Sequence, residues 1–231
     1  MKRFGTILGL MILATGLASA TSVTMQLTGF AGSSGGPNTS GGVYTYPYYF
    51  TVNEGSTTYT NLALLCDSYD NEVWQNEIWS ANAVSLDAII DGSAQGLYSD
   101  VSAYEAAAWL FSQMGSDPSD AAAAKYNWAI WGLFSSDAKL QSGYVSSGAA
   151  SIVLPNAAQM LTLTQSGFFN GYTVYVPANP ANATLDGKPL PSADTPQEYI
   201  GYSKTPTPEP GTLALLVSGL FAVGTKLRRN S

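Results

Sequence analysis

The segment Pro208-Glu209-Pro210-Gly211 limits how far a folded domain can extend along this chain. Proline has no amide hydrogen to donate, and its ring clashes with the preceding helical turn. A helix therefore does not run easily through two of them. Beyond the breaker lies an apolar run, 212–224, and then Lys226, Arg228 and Arg229. The run is shorter than the roughly 20 residues of a comfortable membrane span, and cations behind such a run favour the cytoplasmic side. A breaker, a short greasy segment and a basic stop predict a processing and membrane-retention signal. The plainer alternative is an ordinary C-terminal anchor behind a proline-rich spacer.

In this order, at the extreme C-terminus, these residues resemble the PEP-CTERM sorting signal. The resemblance implies a Gram-negative bacterium that secretes exopolysaccharide. It also implies a membrane-embedded cysteine protease, an exosortase, that recognises Pro208, Glu209 and Pro210 and removes the tail. On that reading 203–207 is a spacer, 208–231 is the signal, and anchoring in the inner membrane is transient. The other end agrees. Lys2 and Arg3 precede an apolar stretch from Ile7 to Leu17, and Ala18-Ser19-Ala20 is a small-residue cleavage site. Residues 1–20 are thus expected to be a signal peptide, with Ala18 and Ala20 read by signal peptidase and the mature chain opening at Thr21. No cysteine sits just after that cut, so no lipid anchor is expected.

The intervening 185 residues, 21–205, are enough for one domain with a sizeable core. They carry 15 acidic residues against Lys125, Lys139, Lys188 and Lys204, a net of −11, and no arginine. Such a surface repels phosphate backbones, which argues against a nucleic-acid partner. The charge suits solubility, or cation bridging to an acidic polysaccharide. The chain has no histidine. That removes Ser-His-Asp and Cys-His nucleophiles, histidine-ligated metals and the usual neutral-pH proton shuttle. A single cysteine, Cys66, excludes an internal disulfide and a thiolate cluster. No glycine-rich phosphate loop is present, so no cofactor is expected. Carboxylate-only chemistry such as glycoside hydrolysis survives the elimination.

Val23, Met25 and Leu27 alternate with Thr24, Gln26 and Thr28, predicting a half-buried strand over Val23–Phe30. Gly32–Gly42 reads as a loop, and Tyr44–Val52 as an edge strand or bulge because of Pro47. Further strands are expected at Tyr59–Cys66, within Val73–Leu86, at Gly171–Val176 and at Glu198–Tyr202. The period changes between them. Ser102 and Glu105 form a capping-box pattern, predicting a helix from about Ala103 to Met114, stopped by Gly115. Asp117 and Pro118 open a second, and Pro155 and Asn156 a third. The fold class expected is α+β for 21–202: an antiparallel sheet or sandwich with a helical insertion over about 102–165.

One body motif pairs Cys66-Asp67 at a strand end with Tyr126-Asn127-Trp128-Ala129-Ile130-Trp131 on a helix. It resembles the thioester domains of bacterial surface adhesins. There a strand cysteine cross-links to the glutamine of a Thr-Gln-x-Ala-Ile-Trp motif. This chain has Tyr126 and Asn127 where that motif has threonine and glutamine, so Cys66 and Asn127 form the candidate pair. Read without the resemblance, Cys66 is a small buried hydrophobe. Trp109, Trp128 and Trp131 read as core residues or as a sugar-stacking platform. Asp67, Asp70, Glu72 and Glu77 read as a solvated acidic loop or as oxygen ligands for calcium, without the spacing of a helix-loop-helix site.

The sequence therefore predicts an exported surface or matrix protein, associated with exopolysaccharide or biofilm and without catalysis or metal of its own. A secreted carboxylate-dependent enzyme acting on polysaccharide is the alternative, and a covalent adhesin acting through Cys66 is a further one.

Overall fold

A computed structural model of the chain describes residues 20–30, 39–115, 118–190 and 196–202. Its strands are β1 (Thr21–Phe30), β2 (Thr39–Ser40), β3 (Val43–Tyr44), β4 (Tyr48–Glu54), β5 (Thr57–Cys66), β6 (Glu77–Ser85), β7 (Tyr172–Pro177), β8 (Thr184–Leu185), β9 (Lys188–Pro189) and β10 (Tyr199–Tyr202). The order β1-β4-β5-β10-β7-β6 returns from β6 to β1, with every pairing antiparallel. The result is a closed six-stranded barrel rather than an open sheet or a sandwich. β6 makes the closure possible by pairing along both of its edges, in ranges that are staggered and overlap at 81–83. Ile78–Ala83 pairs with β1, while Ala81–Ser85 pairs with β7 on its other side. Closure leaves no barrel strand with a row of unpaired amides along its whole length.

Period-two patterning decides what fills the barrel. Met25 lies opposite Val52 on one neighbour and Trp79 on the other, and Leu27 lies opposite Phe50. Tyr199 faces both Cys66 and Tyr175. The rings of Phe50 and Tyr199 meet at 4.6 Å and those of Phe50 and Trp79 at 5.8 Å, edge to face. A barrel this narrow is filled by its own side chains. Gly201 shows how tightly: a methyl group there would come within 2.7 Å of the Leu64 side chain.

Residues of the opposite register on β5, β10 and β7 form a second buried face. Ile200 pairs with Leu65 and with Val174, and all three are fully buried. They lie under the helices, which are inserted as a block between β6 and β7. These are α1 (Leu86–Ile90), α2 (Val101–Met114), α3 (Asp120–Phe134), α4 (Ser136–Leu140), α5 (Ser142–Ser146) and α6 (Ala157–Gln165). Buried alanines on α2 (103, 106, 107, 108) and α3 (123, 124, 129) allow close approach. Trp128, Trp131 and Phe111 supply the bulk, Phe111 meeting Tyr172 of β7 edge-on at 6.3 Å.

The α+β class and the antiparallel strands agree with the sequence; several details do not. The helical insertion begins at Leu86, not near 102, because Ser85 ends β6 and caps α1 at once through the Ala88 amide. α2 is capped by Asp100, which accepts the Ala103 amide and also holds the Ser102 hydroxyl at 2.6 Å. Ser119 caps α3, while Asp117 lies outside the described residues. Pro47 precedes β4 instead of interrupting it, and β4 is paired on both sides and is no edge, though its register against β5 does shift between Phe50 and Val52. Asn156 caps α6 with a complete capping box through Gln159. Among the described residues no helix is long and apolar enough to cross a membrane.

Candidate functional site

The expected sorting residues Pro208, Glu209, Pro210, Lys226, Arg228 and Arg229 lie outside the described residues, as does Ala18. Ala20 is described and exposed, one residue before β1. The candidate pair Cys66 and Asn127 falls inside the fold, and the fold brings the two together.

Cys66 ends β5 and is fully buried. Asn127 sits mid-way along α3, also fully buried, where the helix crosses the strand end. Its Nδ2 donates to the Cys66 carbonyl at 2.9 Å, and its Oδ1 accepts the Tyr46 amide at 2.8 Å. The carboxamide thus ties α3 to two strand-end backbones, and its contact with Cys66 is to the carbonyl oxygen. The thiol donates elsewhere, to the Ser68 carbonyl at 3.4 Å. Burial, then the neighbouring Asp67 carboxyl, pushes the Cys66 thiol up from its ordinary value. It stays protonated at neutral pH, and the protonated thiol is the unreactive form.

The chain turns directly after Cys66 and enters a polar seam. The Asp67 amide donates to the Glu198 carbonyl at 3.3 Å, and the Glu198 amide donates to Ser68 Oγ at 2.9 Å. Gln197 Nε2 donates to the carbonyls of Ser68 and Asn71, while its Oε1 accepts the Tyr199 hydroxyl at 2.8 Å. The Glu198 carboxyl is fully buried and accepts at both oxygens: from the Tyr104 hydroxyl of α2 at 2.6 Å and the Leu97 amide at 2.7 Å. Asp67 is equally buried, and neither of its oxygens meets a protein N–H or O–H. Burial and the adjacent Glu198 carboxyl raise Asp67 well above the usual carboxylate range; Glu198 is raised as well, by burial.

Two buried carboxyls on neighbouring strand ends with unequal surroundings have the chemistry of an acid–base pair. Both, however, are closed off from solvent. The pair escaped sequence reading because its members belong to opposite ends of the domain. Glu198 carried one visible signal, an acid leading a short strand that is otherwise apolar and aromatic.

The four acids read as one surface loop divide in two. Asp67 and Glu77 are fully buried, and Glu77 Oε2 accepts the Trp74 amide at 2.9 Å. Asp70 and Glu72 are exposed, Asp70 accepting the Ser135 hydroxyl at 2.7 Å. The solvated-loop reading therefore fails for half of its residues, because the backbone needs Asp67 at the β5 exit and Glu77 at the start of β6. Among the described residues no cluster of three or more acidic, histidine or cysteine side chains is placed to hold a metal. Trp79, Trp128 and Trp131 are core residues. Trp74 is exposed, and the half-buried Trp109 lines a shallow groove with Leu154, Pro155 and Leu163. No protein-family model, curated protein or solved structure matches the chain.

Proposed function

We infer that this is an exported cell-surface or extracellular-matrix protein, parked briefly in the inner membrane and then trimmed by an exosortase. The barrel serves as a structural or adhesive body beside exopolysaccharide. One observation carries this reading: the order of Pro208-Glu209-Pro210, the apolar run 212–224 and the cations Lys226, Arg228 and Arg229. The fold is compatible with it. β1 begins at Thr21 and β10 ends at Tyr202. Cleavage after Ala20 and within the tail would leave every barrel strand whole. A structural rather than catalytic use is supported by the burial of Asp67 and Glu198, which no polysaccharide chain could reach without opening the domain. The test replaces Pro208, Glu209 and Pro210 by alanine in the producing cell. The expected outcome is an unprocessed protein retained in the inner membrane; unchanged processing and surface display would defeat the reading.

A covalent adhesin is the second reading, favoured by the placement of Asn127 against the Cys66 backbone. Attack of the Cys66 sulfur on the Asn127 carboxamide carbon would form a thioester and release ammonia. Intact-mass measurement is expected to show that loss, reversed by methylamine. A mature body at its full sequence mass excludes it.

A further inference from the structure

We propose that Asp67 and Glu198 share a single proton, with Asp67 as the acid donating to the Glu198 carboxylate. This proton latches the β5–β10 seam to the helices, so that the domain tightens as pH falls and slackens as pH rises. The proposal is independent of where the protein is exported or how its ends are processed.

The geometry assigns the two roles. Glu198 accepts a hydrogen bond at each carboxyl oxygen, from the Tyr104 hydroxyl and the Leu97 amide. An ionised carboxylate accepts at both oxygens and donates at neither. Neither Asp67 oxygen has a donor from the protein, and the register that pairs Tyr199 with Cys66 places Asp67 opposite Glu198, so the two fully buried side chains are cross-strand neighbours. The backbones leave little room for the two groups to separate. The Asp67 amide binds the Glu198 carbonyl, and the Glu198 amide binds the Ser68 hydroxyl. Two neighbouring carboxylates out of water do not both stay ionised; one retains its proton. With that proton in place, Glu198 collects three donors from three parts of the chain. These are the β5 exit, the connection ahead of α2, and α2 itself. With the proton lost, Asp67 becomes an unpartnered buried anion against a second one.

The other titratable groups around the pair do not supply an alternative. They are Cys66 on β5, Asp70 beyond it, Tyr98 ahead of α2, Tyr104 on α2 and Tyr199 on β10. None of these is a cation. Burial raises the thiol and the three phenols above their ordinary values, so they remain protonated below pH 8. The sign follows from the direction of the carboxyl shifts. Both acids titrate higher in the folded chain than in the unfolded one, where an aspartate loses its proton near pH ~3.9. The stability that the proton contributes is therefore fully present below the unfolded value. It is lost as pH rises through the folded value.

The experiment follows unfolding of the full chain, purified in mild detergent, between pH 5 and 8, for the wild type, Asp67→Asn and Glu198→Gln. Asp67→Asn keeps an N–H to donate to Glu198 but has no proton to lose. The wild-type folding equilibrium constant is expected to fall more steeply with pH than that of Asp67→Asn, by up to about tenfold per pH unit. A second readout needs no variant to fold. At pH 7 the wild type should show a deuterium-sensitive infrared carbonyl band of a protonated carboxylic acid, which Asp67→Asn lacks. Equal pH slopes, or no acid carbonyl band at neutral pH, would overturn the proposal. So would calcium raising the wild-type melting temperature and a chelator lowering it, because a cation would then occupy the place given to the proton.

Discussion

The barrel interior and the seam at its end are buried to the same degree and built from opposite materials. Met25, Leu27, Phe50, Val52, Trp79 and Tyr199 fill the first, and Asp67, Ser68, Asn127 and Glu198 the second, none of the ten more than 1% exposed. In the interior, each side chain touches several others, and no single contact is obligatory. In the seam, the Asn127 and Glu198 side chains each depend on particular partners, mostly backbone groups. Removing a ring from the first region leaves space that neighbours partly reclaim. Removing an amide from the second leaves donors and acceptors that water cannot reach. Equal burial thus hides two different responses to mutation.

The largest effect separating them is expected at Trp79. Its ring meets Phe50 edge-on and lies 6.2 Å from Tyr199, with 1% of the residue exposed. Trp79→Ala should cost about 3–5 kcal/mol, as large aromatic-to-alanine changes in cores do. That is a large share of the ~5–15 kcal/mol that holds a typical domain. The same site also measures how graded the interior is. The Trp79 Nε1 has no hydrogen-bond partner, so phenylalanine loses volume but also removes an unsatisfied donor. Trp79→Phe should therefore cost well under half as much. Urea unfolding of both variants checks this. Equal losses for alanine and phenylalanine would mean that the interior, too, depends on one exact shape.

The sequence made the strands of the interior legible and left the seam almost invisible. Val23, Met25 and Leu27 alternate cleanly because one side of β1 faces the barrel lumen, and that periodicity is local. The capping of α6 by Asn156 is local too, a side chain reaching an amide three residues on. Closure of the barrel is not local. It depends on β6 pairing with β1 along one edge and with β7 along the other, and no pattern within β6 declares which strands those are. The cap of α2 failed for a subtler reason. Asp100 and Ser102 are both good caps, and the chain uses the first while holding the second by its hydroxyl. At the site, the juxtaposition of Cys66 with Asn127 was carried by a motif resemblance. Glu198 was not, since nothing near Pro196 or Tyr199 points to Asp67 at the far end of the domain. The acids 67–77 misled because four carboxyls in eleven positions look solvated until the strand ends are known to bury two.

A smaller but more diagnostic loss is expected at Asn127, where the seam can be tested without touching any carboxyl. Asn127→Ala removes two hydrogen bonds at once, from the Tyr46 amide and to the Cys66 carbonyl, and both partners are backbone. No second mutation can make those groups apolar. At about 1–2 kcal/mol for each group, the lower part of the range for a buried group left unpaired, the variant should lose roughly 2–4 kcal/mol, although few apolar contacts are removed. Asn127→Asp is nearly the same shape and keeps an acceptor for Tyr46. When ionised, it has no hydrogen to give to Cys66. It should resemble alanine at neutral pH and recover stability in acid, where a protonated carboxyl can donate again, whereas Asn127→Ala should show no such recovery. Denaturant midpoints at two pH values separate the two. If Asn127→Asp instead matched the wild type at neutral pH, the bond to Cys66 would contribute little. The seam would then be held by packing, as the barrel interior is.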